Sequence, residues 1–296
     1  MERKQVLIVA NPCSGKGKTP KVAHKVLKIV NEHGFDASLK FTTKSGDAKS
    51  YAEHDEFEMI IVIGGDGTLN EVVSGLVVAE RSDVSVGYIP MGSTNDFARS
   101  LKIPRKWRKA LDIILEGEAK PIDVCRFNDR YFIYVAAYGI FAETSCSVRQ
   151  KFKNSFGYFA YLFRGIGEVF RKNNYHVKLE IGDRVIDDYY ALLGFGNTRS
   201  LGGVLKFKDE IVDFCDGAFE VLLVKKPKGI KQLSRMLKRF SKSDWQGDGL
   251  ELIHSNKVKV YKTAENMLWS LDGEKCLINE DVEVENIKHA INLIVK

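Results

Sequence analysis

The sequence predicts an α/β fold with two domains: an N-terminal doubly wound α/β domain, residues 1–122, and a C-terminal, mainly antiparallel domain, residues 123–296. Short apolar runs alternate with amphipathic stretches over the first 120 residues. Strand-like runs dominate after about Ile122. The length of 296 residues also suits two domains.

In the N-terminal part, four apolar runs are typical of buried parallel strands. They are VLIVAN (6–11), SLKFTT (38–43), MIIVIGG (59–65) and VSVGYIP (84–90). A predicted helix follows the first run and stops at Gly34. Its apolar face is formed by Val22, Val26, Ile29 and Val30. Residues 70–78 and 107–116 are also predicted helices, so strands and helices alternate as in a doubly wound sheet.

Six strand-like runs follow in the C-terminal part. They are YFIYVAAYG (131–139), HVKLEIG (176–182), YYALLGFG (189–196), AFEVLLV (218–224), KVKVYK (257–262) and LWSLDGE (268–274). An aromatic insert near 149–172 and a basic helix near 229–241 interrupt them. The last segment, 287–295, can pack back on either domain.

The composition excludes several classes of protein. Hydrophobic residues make up 44% and charged residues 28% of the chain, which fits neither a disordered nor a membrane protein. The N-terminal apolar run is too short for a signal peptide, and no window approaches the ~18 apolar residues of a membrane span. The five cysteines are widely separated and include no Cys-x-x-Cys pair. These features predict a cytoplasmic protein without a zinc site.

Positive charge is concentrated in residues 225–242, which hold eight basic residues and no acidic one, although the chain has a net charge of only +6. Such an excess favours an anionic partner, either a membrane or a nucleic acid. The insert near 149–172 mixes aromatic and basic residues, as membrane-interface segments do. Alternatively, both segments are helices that pack their apolar faces on the protein and expose their basic faces.

The strongest functional signal is the run Gly64-Gly65-Asp66-Gly67-Thr68-Leu69-Asn70-Glu71, between a predicted strand and a predicted helix. Glycines clear side chains from the turn, so backbone N–H groups and the positive end of the helix can receive a phosphate. Asp66 would repel that phosphate unless a cation lies between them, and it therefore predicts Mg²⁺. The alternative is a tight turn in which Asp66 or Thr68 caps the helix.

Two more loops follow predicted strands. The run Pro90-Met91-Gly92-Ser93-Thr94-Asn95-Asp96 offers hydroxyl and amide groups to phosphate or ribose oxygens, while Asp96 can hold the metal or order a neighbouring loop. The run Asn11-Pro12-Cys13-Ser14-Gly15-Lys16 can bring Lys16 to the same crevice, because loops at strand carboxyl ends share one edge of the sheet. Helix capping and a solvated Lys16 are the alternatives.

Two common nucleotide-binding motifs are disfavoured by residue identity. Ala10 stands where a P-loop has its first glycine, and Gly17 replaces the Ser or Thr that binds Mg²⁺. Asn70 occupies the place of the third glycine of a dinucleotide-binding fingerprint.

Together, the three runs resemble the catalytic domain of the diacylglycerol kinase family, especially the soluble bacterial lipid kinases. The resemblance covers almost the whole chain. GGDGT is shared with a wider group that includes NAD kinases, whereas the combination of NPxSGK, GGDGTLNE and PxGSTNDFAR is specific. The resemblance implies an N-terminal nucleotide domain, a C-terminal β-sandwich domain for the lipid substrate, and ATP in the cleft between them.

The resemblance also implies roles for single residues. The first nucleotide loop is matched by Asn11, Ser14, Gly15 and Lys16. A nucleotide-contacting threonine is matched by Thr42. The triphosphate loop, with Asp66 as its essential acid, is matched by Gly65, Asp66, Gly67, Thr68, Leu69, Asn70 and Glu71. The second nucleotide loop is matched by Thr94 and Asp96.

In the C-terminal part, Leu271-Asp272-Gly273-Glu274 resembles the family's D-G-E run, which implies that Glu274 is the general base. Phosphoryl transfer to an alcohol releases a proton, and a base contributes roughly 10²–10⁴-fold to the rate. Positioning and Mg²⁺ supply most of the rest. An ordinary Asp-Gly hairpin turn with a solvated Glu274 is the alternative.

Asp216-Gly217-Ala218 resembles the family's structural magnesium site. The resemblance implies that the Asp216 side chain and the main-chain oxygens of Asp213 and Ala218 are the ligands. The match is imperfect, because residues 210–217 lack the proline, the alanine and one aspartate of the common pattern. A weakened or absent second metal, or a side-chain ligand from Asp213, therefore remains open.

The sequence thus predicts a cytoplasmic, peripherally membrane-associated kinase that transfers the γ-phosphate of ATP to a lipid alcohol, first of all diacylglycerol, with Mg²⁺ as cofactor. The expected partners are ATP, a membrane lipid and an anionic membrane surface, but no nucleic acid. A sphingoid base, phosphatidylglycerol or NAD is the alternative acceptor, and the PMGSTNDFA loop argues against NAD. A nucleotide-sensing membrane regulator without turnover is the other alternative. Homodimer formation and the acceptor stay open.

Overall fold

The computed structural model of the chain describes residues 3–140, 142, 174–197, 200–201, 205–206 and 213–296. The predicted aromatic insert near 149–172 lies outside these residues. The chain forms two compact units. The first comprises Met1–Val124, Phe214–Gly217 and Ile287–Lys296, and the second comprises Cys125–Asp213 and Ala218–Asn286.

A parallel sheet forms the centre of the first unit. Its strands are β1 (Gln5–Ala10), β2 (Asp36–Phe41), β3 (Met59–Gly64) and β4 (Ser85–Pro90). They lie in the order β2-β1-β3-β4, and all are parallel. Every residue of β3 is buried, as expected for a strand of a parallel sheet that is covered on both faces. The four apolar runs of the sequence are therefore the four strands.

Five helices connect and flank these strands. They are α1 (Thr19–Glu32), α2 (Asp47–His54), α3 (Asp66–Val78), α4 (Asp96–Ser100) and α5 (Trp107–Glu116). α1 buries Val22, Val26 and Val30, which its apolar spacing predicts. α3 begins at Asp66, one turn before the predicted start at Asn70, because the glycine run itself forms the first helical turn. This alternation of strands and helices confirms the doubly wound α/β class.

The second unit is mainly antiparallel. Beyond β5 (Glu118–Phe127), which begins in the first unit, its strands are β6 (Arg130–Phe132), β7 (Val135–Gly139), β8 (Tyr175–Ile181), β9 (Arg184–Tyr190), β10 (Leu192–Gly196), β11 (Ser200–Leu201), β12 (Leu205–Lys206), β13 (Phe219–Val224), β14 (Leu250–Ser255), β15 (Lys257–Tyr261), β16 (Met267–Leu271) and β17 (Glu274–Ile278). One sheet has the order β14-β13-β10-β7-β16-β17.

Trp269 on β16 lies at the centre of the second unit's core. Its side chain is fully buried, and its ring stacks on Tyr138 with the centroids 5.2 Å apart. Phe127 approaches the same indole edge-on at 5.0 Å. Burial of aromatic surface supplies much of the stability of such a core. This packing fixes β16, and with it the turn that leads into β17.

Helix α6 (Ile230–Lys242) follows β13, and the long strand β18 (Val282–Val295) comes after four further strands. In the second unit, Val284 of β18 lies opposite Val258 in an antiparallel pair. In the first unit, Leu293 of β18 lies opposite Val86 in a parallel pair. None of the helices in the described part of the chain combines the length and hydropathy that a membrane span requires.

Candidate active site

The glycine run forms the junction between β3 and α3. Gly65 is the N-cap of α3, with an extended backbone (φ −94°, ψ −176°), and Asp66 is the first helical residue. A Cβ atom on Gly64 would lie 2.7 Å from the side chain of Thr68, so a larger residue would displace that threonine. The first N–H groups of α3 have no intrahelical partners, and such groups bind phosphate at many helix N-termini.

The loop after β4 packs directly on the glycine run. The backbone N–H groups of Met91 and Gly92 both donate to the carbonyl oxygen of Gly64, at 2.7 and 3.2 Å. A Cβ atom on Gly92 would lie 2.6 Å from the Cα atom of Gly65. This approach of the two backbones requires glycine at position 92, whereas a Cβ atom on Gly65 would lie 3.3 Å from the Cα atom of Gly92 and leave little room. The two loops are therefore neighbours, as the shared edge of the sheet predicts.

Asp66 also connects these two loops. Its Oδ2 atom accepts a hydrogen bond from the backbone N–H of Asp96, at 3.1 Å, where α4 begins. The Asp96 side chain is 2% exposed, and its Oδ1 atom accepts a hydrogen bond from Arg99 at 3.1 Å. Arg99 also donates to the carbonyl oxygen of Thr94 at 3.4 Å. The Asp96 carboxylate is thus tied, through Arg99, to its own loop. Its predicted role in holding the metal or ordering a neighbouring loop stays a prediction.

The loop after β1 reaches the same place through Asn11. The Asn11 side-chain amide donates to the hydroxyl oxygen of Thr68 at 3.2 Å. Its Oδ1 atom accepts the N–H of Cys13 at 3.0 Å, which fixes the first turn of the loop. Thr68 is buried, so this contact lies beneath the surface of the glycine run.

The rest of this loop also lies beside the loop after β4. Gly15 has a left-handed backbone (φ +64°), and a Cβ atom there would lie 2.6 Å from the terminal carbon of Met91. The carbonyl oxygen of Ser14 accepts a hydrogen bond from the hydroxyl of Thr19, at 3.0 Å. Lys16 is exposed. The structure therefore brings all three sequence-predicted loops together.

Glu71 belongs to the predicted triphosphate loop, but its carboxylate has partners within the protein. Its Oε1 atom accepts a hydrogen bond from the hydroxyl of Ser45 at 3.0 Å, and its Oε2 atom accepts the N–H of Ala48 at 3.2 Å. Ala48 lies in the first turn of α2, so Glu71 caps that helix. Nearby, hydrogen bonds from Thr43 hold the pKa of Asp47 below its ordinary value. A contact between Glu71 and nucleotide stays a prediction.

The other predicted residues of the first unit differ in exposure. Thr42 and Leu69 are buried, and the N–H of Thr42 donates to the carbonyl oxygen of Ala10 at 3.0 Å. Gly67 is exposed. Asn70 is half-buried, and its side-chain oxygen accepts a hydrogen bond from the hydroxyl of Ser74 at 3.3 Å.

These residues fit a triphosphate that carries a metal ion. The paired glycines give a ligand access to backbone N–H groups, and Asp66 adds a carboxylate at the same helix end. Mg²⁺ prefers oxygen ligands and commonly combines one or two carboxylates with water and phosphate oxygens. No group of three or more His, Cys, Asp or Glu side chains converges within the described ranges. A metal shared between the Asp66 carboxylate and phosphate oxygens would suit these residues.

In the second unit, Asp272 organises the turn before Glu274. Its carboxylate accepts three backbone N–H groups, from Ile133 at 2.8 Å, Tyr134 at 3.1 Å and Val135 at 3.0 Å. Asp272 is 9% exposed and has a left-handed backbone, with φ +47°. The Asp-Gly turn is therefore anchored to the segment between β6 and β7 rather than held only by its own hairpin.

Glu274 is the first residue of β17, and its side chain is exposed. It lies across from Leu271 in the hairpin that β16 and β17 form. Burial raises the pKa of the neighbouring Cys276 thiol, and the negative charge of Glu274 adds to this shift. The hairpin that the Asp-Gly pair predicts is present, and the carboxylate of Glu274 projects from its edge strand. Its role as a base stays a prediction.

The predicted structural metal site spans Asp213, Asp216 and Ala218. Both aspartates are exposed, and the carbonyl oxygen of Ala218 accepts a hydrogen bond from the side-chain amide of Asn286 at 2.9 Å. Residues 207–212, which contain two of the three departures from the family pattern, lie outside the described part of the chain, whereas the third, Cys215, is half-buried. The metal assignment stays a prediction.

Sequence reasoning missed Asp123, which holds the segment 214–217 in the first unit. Its fully buried carboxylate accepts the N–H of Gly217 and the N–H of His289, each at 2.7 Å. Its own N–H donates to the carbonyl oxygen of Phe214 at 2.7 Å. Burial raises the pKa of Asp123, although these hydrogen bonds oppose the shift. An acidic residue inside an apolar strand, in PIDVCRF, was the signal that could have revealed it.

Comparisons with known proteins match the part of the chain that carries these loops. The family described as "Diacylglycerol kinase catalytic domain" matches residues 5–127, which include all three loops. The diacylglycerol kinase of Staphylococcus carnosus (strain TM300) is 34% identical over 276 residues, covering 92% of this chain and 89% of that protein. The diacylglycerol kinase of Bacillus subtilis (strain 168) is 34% identical, covering 92% of this chain and 90% of that protein.

A solved structure shows the same fold. The crystal structure of a diacylglycerol kinase from Bacillus anthracis str. Sterne superposes with a TM-score of 0.79 at 24% identity, covering 99% of this chain and 97% of that one. The fold and the sequence relatives define an enzyme of the lipid kinase class. The chain belongs to the diacylglycerol kinase family. The family resemblance predicted from the three loops is thus confirmed.

Proposed function

We propose that this protein is an ATP- and Mg²⁺-dependent kinase that transfers the γ-phosphate of ATP to the hydroxyl of diacylglycerol, giving phosphatidic acid. The observation that carries the proposal is the meeting of three loops, where backbone N–H groups and one carboxylate share a helix end. Two of the loops touch at Gly65 and Gly92 and are bridged by Asp66, and the third is joined to them by the hydrogen bond from Asn11 to Thr68. Diacylglycerol is the first acceptor to test because both curated relatives described above bear its name.

The first unit is proposed to bind the nucleotide. The N–H groups at the start of α3 would hold the triphosphate, with the loop from Asn11 to Lys16 on one side and Thr94 on the other. Lys16 would offset phosphate charge, because its side chain is exposed in that loop. Bound Mg²⁺ would neutralise charge on the phosphates and polarise the group that is transferred. Asp66 would hold that ion, and its hydrogen bond to Asp96 fixes the direction of its carboxylate.

The second unit is proposed to supply the base. Glu274 would take the proton that the acceptor hydroxyl loses as it attacks phosphorus. Three N–H groups hold Asp272, so the turn that carries Glu274 needs little rearrangement before the reaction. A second Mg²⁺ at Asp213, Asp216 and the carbonyl oxygen of Ala218 belongs to the same proposal. It is supported by the hydrogen bonds through which Asp123 orders the segment 214–217.

Because diacylglycerol lies in a bilayer, the protein is proposed to act in the cytoplasm and to attach peripherally to an anionic membrane surface.

The experiment that tests the proposed reaction incubates purified protein with γ-labelled ATP, Mg²⁺ and mixed micelles that contain diacylglycerol, a sphingoid base or phosphatidylglycerol. Label in phosphatidic acid supports the proposal. Asp66→Asn should abolish that label, whereas Asp83→Asn, a change at an exposed loop position, should leave it.

The alternatives give different results in the same experiment. Label in another lipid would support the lipid kinase activity but identify a different acceptor. In a parallel incubation with NAD instead of micelles, label in NAD would replace the lipid with a soluble acceptor. Binding of ATP without transfer to any acceptor would favour a nucleotide-sensing regulator and would overturn the proposed reaction.

A further inference from the structure

The basic segment 225–242 is less positive in the folded protein than in the sequence. Among its eight basic residues, Lys225, Arg235 and Arg239 form ion pairs with carboxylates of the described part of the chain. Their carboxylate partners lie outside the segment and are Asp188, Asp244 and Asp248. The local charge available to an anionic surface is therefore reduced.

The apolar face of α6 is partly covered. Met236 is 1% exposed, and the ring of Phe240 lies 5.4 Å from that of the buried Trp245. The apolar stripe of this helix consists of Ile230, Leu233, Leu237 and Phe240. Ile230 is 73% exposed and the other three are half-buried, so membrane contact through this stripe stays a prediction.

A second basic segment lies in the first unit. Residues 97–111 hold six basic residues and no acidic one. At the start of α5, the buried face is formed by Ala110, Leu111 and Ile114, whereas Arg108 and Lys109 are exposed. Lys106, just before the helix, is exposed too. Among the residues that the structure describes, none of the salt bridges involves Lys106, Arg108 or Lys109.

This segment is attached to the candidate active site. Arg105 donates a hydrogen bond to the carbonyl oxygen of Ser93 at 3.0 Å, in the loop that packs on the glycine run. Trp107 is half-buried, and the guanidinium carbon of Arg108 lies 5.1 Å from the centre of its ring. An indole beside free cations is the combination found where proteins meet lipid headgroups.

We infer that Lys106, Trp107, Arg108 and Lys109, here called the α5 basic surface, dock this protein on an anionic lipid bilayer. The inference rests on the proposed function, since an enzyme that takes its acceptor from a membrane must reach one. Two observations favour this surface over α6, although several lysines of segment 225–242 also form no ion pair among the described residues. The cations of the α5 basic surface have no carboxylate partner there, whereas Arg235 and Arg239 of α6 do. The α5 basic surface also belongs to the unit that carries the nucleotide loops, whereas α6 belongs to the other unit. The attachment of the α5 basic surface to the loop containing Ser93 places the docking contact on the same unit as the nucleotide loops.

The test measures co-sedimentation with phosphatidylcholine vesicles that either contain or lack phosphatidylglycerol. The test variant combines Lys106→Gln, Arg108→Gln and Lys109→Gln. Two controls remove the same charge elsewhere: Lys21→Gln, Lys25→Gln and Lys28→Gln on α1, and Lys231→Gln, Lys238→Gln and Lys242→Gln on α6. Each basic residue near an anionic leaflet strengthens binding about fivefold, so the test variant should bind roughly a hundredfold more weakly.

The expected result is a loss of binding to anionic vesicles in the test variant and a clearly smaller change in the α1 control. Phosphorylation of a water-soluble, short-chain diacylglycerol, and the KM for ATP, should stay near wild-type values. Wild-type vesicle binding by the test variant would overturn the inference. So would an equal loss in the α1 control, or a larger loss in the α6 control.

Two more results separate this surface from other roles. A raised KM for ATP with unchanged vesicle binding would mean that these cations attract nucleotide rather than lipid, which also overturns the inference. Wild-type protein that binds anionic vesicles through this surface but phosphorylates no lipid would sustain the inference and contradict the proposed function. A thermal unfolding curve of each variant verifies that the folded state is retained.

Discussion

Asp272 and Val135 are joined by two hydrogen bonds, one donated by each residue. The N–H of Val135 donates to the Asp272 carboxylate at 3.0 Å, and the N–H of Asp272 donates to the carbonyl oxygen of Val135 at 2.8 Å. A charged acceptor that receives several N–H groups away from water stabilises a turn more than a neutral one. The turn before Glu274 is therefore fixed by a residue 137 positions away in the sequence.

Asp272→Ala should lower the free energy of unfolding by about 3 kcal/mol, because three buried N–H groups lose their acceptor. Alanine also tolerates the left-handed backbone of this position poorly, whereas asparagine tolerates it well. Asp272→Asn should thus cost less than the alanine variant. Urea unfolding measures both, with Asp129→Ala at an exposed position as the control. Equal stability of Asp272→Ala and wild type would contradict the anchoring role.

Glu274→Gln should lower kcat by roughly 10²–10⁴-fold, since a base is lost while the shape of the side chain is kept. The KM for ATP and the unfolding temperature should change little, because Glu274 is exposed and lies in the other unit from the nucleotide loops. Kinetics with diacylglycerol in mixed micelles give both constants. Glu265→Gln, another exposed glutamate of the second unit, should behave as wild type. Full activity of Glu274→Gln would exclude Glu274 as the general base without contradicting the proposed kinase activity.

Asp66→Asn and Asp66→Ala should separate the metal role of Asp66 from its structural role. The asparagine oxygen can still accept the N–H of Asp96, so the first variant should keep its stability and lose at least about 10²-fold in kcat. The alanine variant loses the acceptor as well and should unfold about 1 kcal/mol more easily. Activity assays and thermal unfolding test the pair. An active Asp66→Asn protein would exclude Asp66 as a metal ligand.

Glu71→Ala should destabilise the protein by about 1–2 kcal/mol, because the first turn of α2 loses its cap. Ser45→Ala removes one of the two hydrogen bonds to the same carboxylate and should cost less. Chemical unfolding of both variants measures the difference. If Glu71→Gln raised the KM for ATP without any change in stability, the carboxylate would act on the nucleotide and not on α2.

The ion pairs of α6 should make the protein sensitive to acid. Hydrogen bonds from Arg239 and then Arg235 lower the pKa of Asp248 below its ordinary value. A lowered pKa in the folded state adds stability above the unfolded value, and this stability is lost as the pH falls through the folded value. The wild type should therefore lose more stability than Asp248→Asn between pH ~6 and pH ~3. If the free energy of unfolding fell by the same amount in both proteins across this range, the ion pairing of Asp248 would be contradicted.

The strands and the meeting of the loops could be predicted because they depend on local patterns. Buried parallel strands are continuous apolar runs, and loops at their carboxyl ends share one edge of the sheet. The sequence pattern predicts the start of α3 one turn too late. Glycine has a low helix propensity, so the pattern does not indicate that the glycine run forms the first helical turn. The sequence pattern also did not reveal β14, whose residues alternate weakly between buried and exposed positions.

The roles of single carboxylates could not be predicted, because they depend on partners far along the chain. Glu71 caps a helix 23 residues away, and Asp123 accepts the N–H of a residue 166 positions later. The charge of segment 225–242 was overestimated for the same reason, since Asp188 lies far upstream and Asp244 and Asp248 fall just beyond the segment. A count of charges in a stretch of sequence does not show which of them form ion pairs in the folded chain.

The contact between Gly65 and Gly92 limits how this protein can be changed. The backbones of two loops touch at a point where one added methyl group would overlap main-chain atoms, so neither loop can be redesigned by itself. A chimaera that imports one of them from a relative must import both, together with the aspartate that bridges them. Over evolution, these two segments are expected to be inherited as a single unit.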